Sequence, residues 1–261
     1  MPQVTITELR RFIETYVENE PERSGIDGWW RKPLLVSASI DDRFDILPEI
    51  AMDGHLHPRD LLKTAKSVVV FFIPFVKKLV KENRSDERPC RDWGVAYVQT
   101  NDLINSAANA LAEFLKARGH ESGVTPATHN FDEKQLMAPW SHKHIAHLCG
   151  LGRFGTHRMI ITPAGCCGRL GSFVTDAELG DHPLITSEEA CLLKAGKTCG
   201  KCIQRCPVNA LSEKEYARRD CWERLKENRR DLEYFADLPE STHVCAKCAV
   251  MLPCSFANPV K

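Results

Sequence analysis

Eight of the chain's twelve cysteines fall between residues 191 and 254, and that crowding constrains the fold more than any other feature. They are Cys191, Cys199, Cys202, Cys206, Cys221, Cys245, Cys248 and Cys254, whereas only Cys90 and Cys149 precede residue 160. The N-terminus has no basic start followed by an apolar stretch, because Glu8, Arg10 and Arg11 interrupt it. The longest apolar run, Val68 to Val76, contains Pro74 and falls far short of the ~20 residues a bilayer requires. These features read as a cytoplasmic chain without a membrane partner. In that compartment thiols stay reduced and a disulfide scaffold is disfavoured. Metal binding is the role that remains for clustered thiols.

Cys199-Gly-Lys-Cys202 and Cys245-Ala-Lys-Cys248 are C-x2-C turns, whose successive backbone N–H groups can point at sulfur. Zinc on these four thiolates would make a ribbon. It would leave Cys191, Cys206, Cys221 and Cys254 unused and would not explain the proline after Cys206. Two [4Fe-4S] cubanes use all eight. The run Cys199 to Pro207 resembles the bacterial ferredoxin motif, in which the cysteine before proline crosses to a second cluster. Gly196 stands where that motif has its first cysteine, and Cys191 is the nearest replacement. The resemblance implies one cluster on Cys191, Cys199, Cys202 and Cys254, and another on Cys206, Cys221, Cys245 and Cys248. Lys197, Lys201, Arg205 and Lys247 add positive charge nearby.

Before the cysteines, helix and strand patterns alternate. Thr5 and Glu8 have capping-box spacing ahead of Leu9, Ile13, Tyr16 and Val17 on one helical face. Residues 34–40 suggest a buried strand, and Ser67 to Ile73 is continuously apolar, as a strand covered on both faces would be. Pro58 to Lys66 reads as a short helix, 77–92 as an exposed loop, and Asn101 to Arg118 as a long helix. A further helix is expected over Lys134 to Cys149, followed by a glycine-rich turn and strands at 159–162 and 172–175. The fold class is α/β (α+β), with an α/β domain over 1–183 and a cysteine module over 184–261.

Several segments resemble the epoxyqueuosine reductase family, whose fold is distantly shared with reductive dehalogenases. His57-Pro-Arg-Asp-Leu-Leu-Lys-Thr-Ala-Lys-Ser67-Val-Val-Val is similar to the family's "DPR-LL-GAKSVVV" segment, and the helix after Tyr97 is similar to the one that follows there. Cys149-Gly-Leu-Gly-Arg-Phe-Gly-Thr156 resembles "AGLGWIGK", and Gly171 to Asp176 resembles "GE-LTDL". The resemblance implies a nitroreductase-like cobalamin-binding domain followed by a ferredoxin-like module with two [4Fe-4S] clusters. Electrons would pass from the clusters to cobalt, which reduces a substrate. By position, Tyr97, Gly150, Gly152, Arg153, Phe154, Gly155, Thr156, Thr162 and Gly171 would line the corrinoid. The external donor would be a low-potential carrier such as ferredoxin or flavodoxin, and the substrate a small molecule or a redox protein.

The chain also departs from that family. Anchoring on Pro139 and Gly150 puts Leu136 where the family carries an Asp resembling a general acid, with Asp132 and Glu133 close by. Histidines crowd the region: His129, His142, His144, His147 and His157. Each could be an ordinary hydrogen-bonding residue, while His142 or His157 could supply the missing proton. Cys166-Cys167 reads as buried packing, a redox-active vicinal pair or a cobalt-side contact. The chain is shorter than typical members and is expected to do without the C-terminal repeat domain that some direct toward tRNA. Lys+Arg and Asp+Glu both number 35, so no net charge draws the chain to a polyanion. Epoxyqueuosine in tRNA is therefore not the expected substrate. Two further readings stay open: an electron-transfer protein that activates a separate corrinoid protein or enzyme, and a zinc-stabilised binding module.

Overall fold

The computed structural model of the chain describes residues 4–126 and 131–260. Thr5 and Glu8 close the expected capping box: the Glu8 carboxylate accepts from the Thr5 N–H at 2.9 Å, and the Thr5 hydroxyl accepts from the Glu8 N–H at 3.3 Å. They start helix α1 (Ile6–Glu18), followed by α2 (Glu20–Ser24), α3 (Leu47–Ile50), α4 (Pro58–Leu61), α5 (Lys77–Glu82) and α6 (Arg91–Lys116). Three helices follow: α7 (His142–Leu148), α8 (Lys201–Gln204) and α9 (Arg218–Asp231). The strands are β1 (Leu34–Ser39), β2 (Ser67–Pro74), β3 (Ser122–Val124), β4 (Arg153–Phe154), β5 (Ile160–Ile161) and β6 (Gly168–Thr175). Among the described residues no helix is long and apolar enough to cross a membrane.

By packing, the chain divides into two units, each drawn from several segments. The first comprises 1–73, 101–152 and 168–186, and the second 74–100, 153–167 and 187–261. In the first, a four-stranded sheet has the order β1-β2-β6-β3, so β2 lies inside it and is buried along its whole length. That placement accounts for its unbroken apolar sequence. Leu9, Ile13 and Val17 of α1 pack with Leu103, Leu111 and Leu115 of α6 in the core beside β2. Burial of such side chains contributes about 1.5–3 kcal/mol each.

Two expected elements differ. Residues 77–92 are not a loop: they contain α5, with Leu79 and Val80 buried between exposed lysines, and α6 begins already at Arg91. Gly94 interrupts the helical signal there, yet a Cβ at that point would lie 2.6 Å from the Phe235 ring. The glycine is kept for close packing, not for a turn. The helix expected over 134–149 shrinks to α7. Asp132 caps a turn, its carboxylate accepting from the Lys134 and Gln135 N–H groups at 2.7 and 2.9 Å, and such local bonding competes with a helix.

Candidate metal centre

The second unit gathers the eight C-terminal cysteines. Leu192 to Lys197 form one helical turn closed by a left-handed Gly196 (φ 73°). The Lys197 N–H bonds the Leu192 carbonyl at 2.8 Å and the Gly196 N–H bonds that of Leu193 at 3.0 Å, the Schellman pattern. That turn carries Cys191 back toward Cys199. Cys191, Cys199, Cys202 and Cys254 line one cavity together with His157. Burial first, then the neighbouring Cys254, Cys191 and Cys199, pushes the Cys202 thiol up to about 11. Thiols within electrostatic reach oppose one another's ionisation, and a bound cation relieves that opposition. The donor set therefore fits an iron–sulfur cluster.

The remaining four form the other set. Burial, then Cys245, Cys221, Cys206 and, last, Cys202 of the first set, drives the Cys248 thiol well above its ordinary value. The Ala210 N–H donates to Cys206 Sγ at 3.2 Å, and the Tyr216 hydroxyl bonds Cys221. Lys247 supplies the buried charge of this set: it is 2% exposed, its ammonium donates to the Asn83 carbonyl, and burial lowers its pKa. Lys197 and Lys201 are exposed, and Arg205 is half-buried.

The residues expected to line a corrinoid fall into different units. Gly150, Gly152 and Gly171 belong to the first, while Tyr97, Arg153, Phe154, Gly155, Thr156 and Thr162 belong to the second. The space a ligand would need beside three of the glycines is filled by protein. An added Cβ would lie 2.5 Å from Pro183 at Gly150, 2.7 Å from His157 at Gly155 and 2.3 Å from Phe71 at Gly171. Thr162 is wholly buried in a turn, its hydroxyl donating to the Gly165 carbonyl at 2.8 Å. Arg153 Nε donates to the Ser187 carbonyl at 2.9 Å, and Phe154 pairs with Ile160 across β4 and β5. Thr156 sits 3.5 Å from Cys191 Sγ. Packing thus accounts for the glycines at 150, 155 and 171.

The histidines separate by environment. His129 lies outside the described residues. In the first unit the Trp140 indole N–H donates to Ser172 Oγ at 3.0 Å, and that hydroxyl lies 2.7 Å from His142 Nδ1. Burial, helped by the positive charge of Arg169, lowers the His142 pKa to about 4. That direction favours the neutral ring at pH 7. His144 Nδ1 is 2.8 Å from Ser141 Oγ. His55, which the sequence reading missed, accepts from the Ser141 N–H at Nε2 and fixes the start of α7. Its signal was faint, a lone histidine 86 residues away from its partner. His157 lies in the second unit, with Nε2 3.3 Å from Cys254 Sγ. Two backbone hydrogen bonds hold the Asp132 carboxyl below its usual range. Leu136 is buried at 7% exposure with φ 55°.

A mixed helix-and-sheet fold that carries a cysteine-lined cavity defines the class in structural terms. Within that class, the chain has the fold of the epoxyqueuosine reductases and shares it in part with reductive dehalogenases. It is similar to an epoxyqueuosine reductase solved with an epoxyqueuosine-modified tRNA stem loop (TM-score 0.58, 18% identity, covering 95% of this chain and 66% of that one). It is similar also to epoxyqueuosine reductase from Bacillus subtilis (TM-score 0.55, 18% identity, 96% of this chain and 67% of that one). A catabolic reductive dehalogenase follows at TM-score 0.56 and 14% identity, covering 87% of this chain and 30% of that one. The chain therefore spans about two-thirds of the length of the epoxyqueuosine reductases it matches. No protein-family model matches the chain, and no curated protein matches it by sequence.

Proposed function

We propose that this protein is a cytoplasmic iron–sulfur oxidoreductase that takes electrons from a low-potential carrier such as ferredoxin or flavodoxin and delivers them to a redox substrate. Cys191, Cys199, Cys202 and Cys254 would hold one [4Fe-4S] cluster; Cys206, Cys221, Cys245 and Cys248 would hold the other. The clusters supply one-electron redox chemistry, and the thiolates, backbone N–H groups and Lys247 hold them and temper their charge. The observation that carries this reading is the cavity lined by Cys191, Cys199, Cys202 and Cys254, with Cys206, Cys221 and Cys245 neighbouring Cys248 in the same unit. Iron analysis of anaerobically purified protein should find about eight irons per chain, with visible absorption bleached by dithionite. Cys206→Ala should cost the cluster of Cys245 and Cys248 while leaving that of Cys199 and Cys202. About four irons, or colourless zinc-loaded protein, would sink the assignment.

The same reading keeps the domain scheme of a nitroreductase-like body over 1–183 and a ferredoxin-like module over 184–261, with 153–167 packed in the unit of the cysteines. Likeness of fold supports a corrinoid as further cofactor. Packing fills the space that a side chain would take at Gly150, Gly155 and Gly171, so these three glycines do not by themselves argue for it. Anaerobic mixing with cobalamin tests it: co-elution and a cobalt spectrum that changes on reduction support binding. Absence of both favours the second reading, an electron-transfer protein that activates a separate corrinoid protein or enzyme. The filled glycine turn is the observation on that side. Epoxyqueuosine in tRNA is not the proposed substrate, since Leu136 cannot supply the roughly 10²–10⁴-fold that a positioned acid contributes. Single-turnover reduction of epoxyqueuosine-bearing tRNA at the rate of an Asp-containing enzyme would overturn that exclusion.

A further inference from the structure

Residues 156–166 precede every cysteine of the two sets, yet they reach two of them. Thr156 Oγ1 lies 3.5 Å from Cys191 Sγ, and His157 Nε2 lies 3.3 Å from Cys254 Sγ. The ligand-capable atoms of His157, Cys166 and Cys254 all lie within 4.8 Å of one another. Such a trio suits a mononuclear metal, but the hydrogen bonding of His157 decides otherwise. The Met159 N–H donates to His157 Nδ1 at 3.1 Å, so in the neutral ring Nε2 carries the proton and faces the Cys254 sulfur as a donor. Cys166 is tied in the same way: its N–H bonds the Cys254 carbonyl at 2.9 Å, and the adjacent Cys167 N–H bonds that of Ser255 at 3.3 Å. The Cys166 thiol itself lies 3.8 Å from the Ala249 carbonyl oxygen, to which it donates.

We infer that His157 is a positioning residue that donates an N–H···S hydrogen bond to the Cys254 thiolate and raises the reduction potential of the cluster it holds. This inference rests on the proposed clusters. Reduction adds one electron, from dithionite in the test below, to a [4Fe-4S]²⁺ cluster to give [4Fe-4S]⁺, with no bond made or broken. The added negative charge spreads onto the ligand sulfurs, so a donor aimed at a sulfur stabilises the reduced form more than the oxidised one. Thr156 reinforces the effect at Cys191. The other set has the Tyr216 hydroxyl, the Ala210 N–H and buried Lys247 near its sulfurs, none of which belongs to 156–166. Removing donors from 156–166 therefore acts on one cluster alone.

Potentiometric titration of the full, anaerobically reconstituted chain, followed by electron paramagnetic resonance, tests this. His157→Phe should keep about eight irons and move one of the two midpoints to more negative potential. His157→Gln, which retains a donor, should move it less. A cluster lost from His157→Phe but kept in His157→Gln also supports the inference. With both clusters present, unchanged midpoints or equal shifts of both overturn it. Wild-type protein without two clusters overturns the cluster reading as well, which keeps the two failures apart.

Discussion

Burial holds the His142 imidazole near pKa 4 against an ordinary 6.5, and the sign of the consequence is fixed. Between those values the unfolded chain binds a proton that the folded ring refuses, so stability falls as pH drops from about 6.5 toward 4. The loss should reach about 2–3 kcal/mol. His142→Gln, which can still bond Ser172, should remove that part of the dependence; anaerobic urea midpoints at pH 7 and pH 4.5 measure it. An equal acid loss in the variant would assign the dependence to other groups. Residue identity made the cysteine positions legible but not the role of this histidine. Its tie to Ser172 spans 30 residues, and nothing near it in sequence marks the Trp140–Ser172 pair that encloses it. His157 was visible as a histidine in a redox region, while the sulfur it faces lies 97 residues further on.

Two glycine-dependent turns shape the thiol sets, and they differ in what surrounds them. Gly165 (φ 89°) closes the turn after β5, and a Cβ there would lie 2.3 Å from the Ser255 carbonyl oxygen. Gly196 (φ 73°) has no atom within 4 Å of such a Cβ. Gly196→Ala should therefore lose only the left-handed penalty, about 1–2 kcal/mol. Gly165→Ala adds a backbone collision and should lose about 3–5 kcal/mol, together with part of the iron. Thermal midpoints and iron content of the two variants give the comparison; equal losses would mean that the Gly165 turn opens freely. Elements with an uninterrupted period, such as α1 and β2, could be read directly from the chain. Helix α5 could not, because its apolar pair Leu79–Val80 is too short to set a period among lysines. The start of α6 was hidden by Gly94, whose reason lies at Phe235.

The chain passes between its two units at 73/74, 100/101, 152/153, 167/168 and 186/187. A composition shift near 183 marks the last of these passages, but segments that return from earlier in the sequence leave no compositional trace. Fragment 184–261 alone should bind no more than about half the iron of the full chain, because Cys254 then lacks its backbone partner at Cys166. Full iron loading of the fragment would show that 153–167 is dispensable. Helix α8 carries Cys202, and Cys206 lies two residues beyond its end, four positions on yet assigned to the opposite set. Four helical residues rise about 6 Å. The spacing between the two proposed metal centres then becomes a constant of the backbone, like the gap between electrodes fixed to one rod. Charge could hop across that gap at a rate that neither a partner nor a domain motion would need to set, and control would have to act where electrons enter or leave.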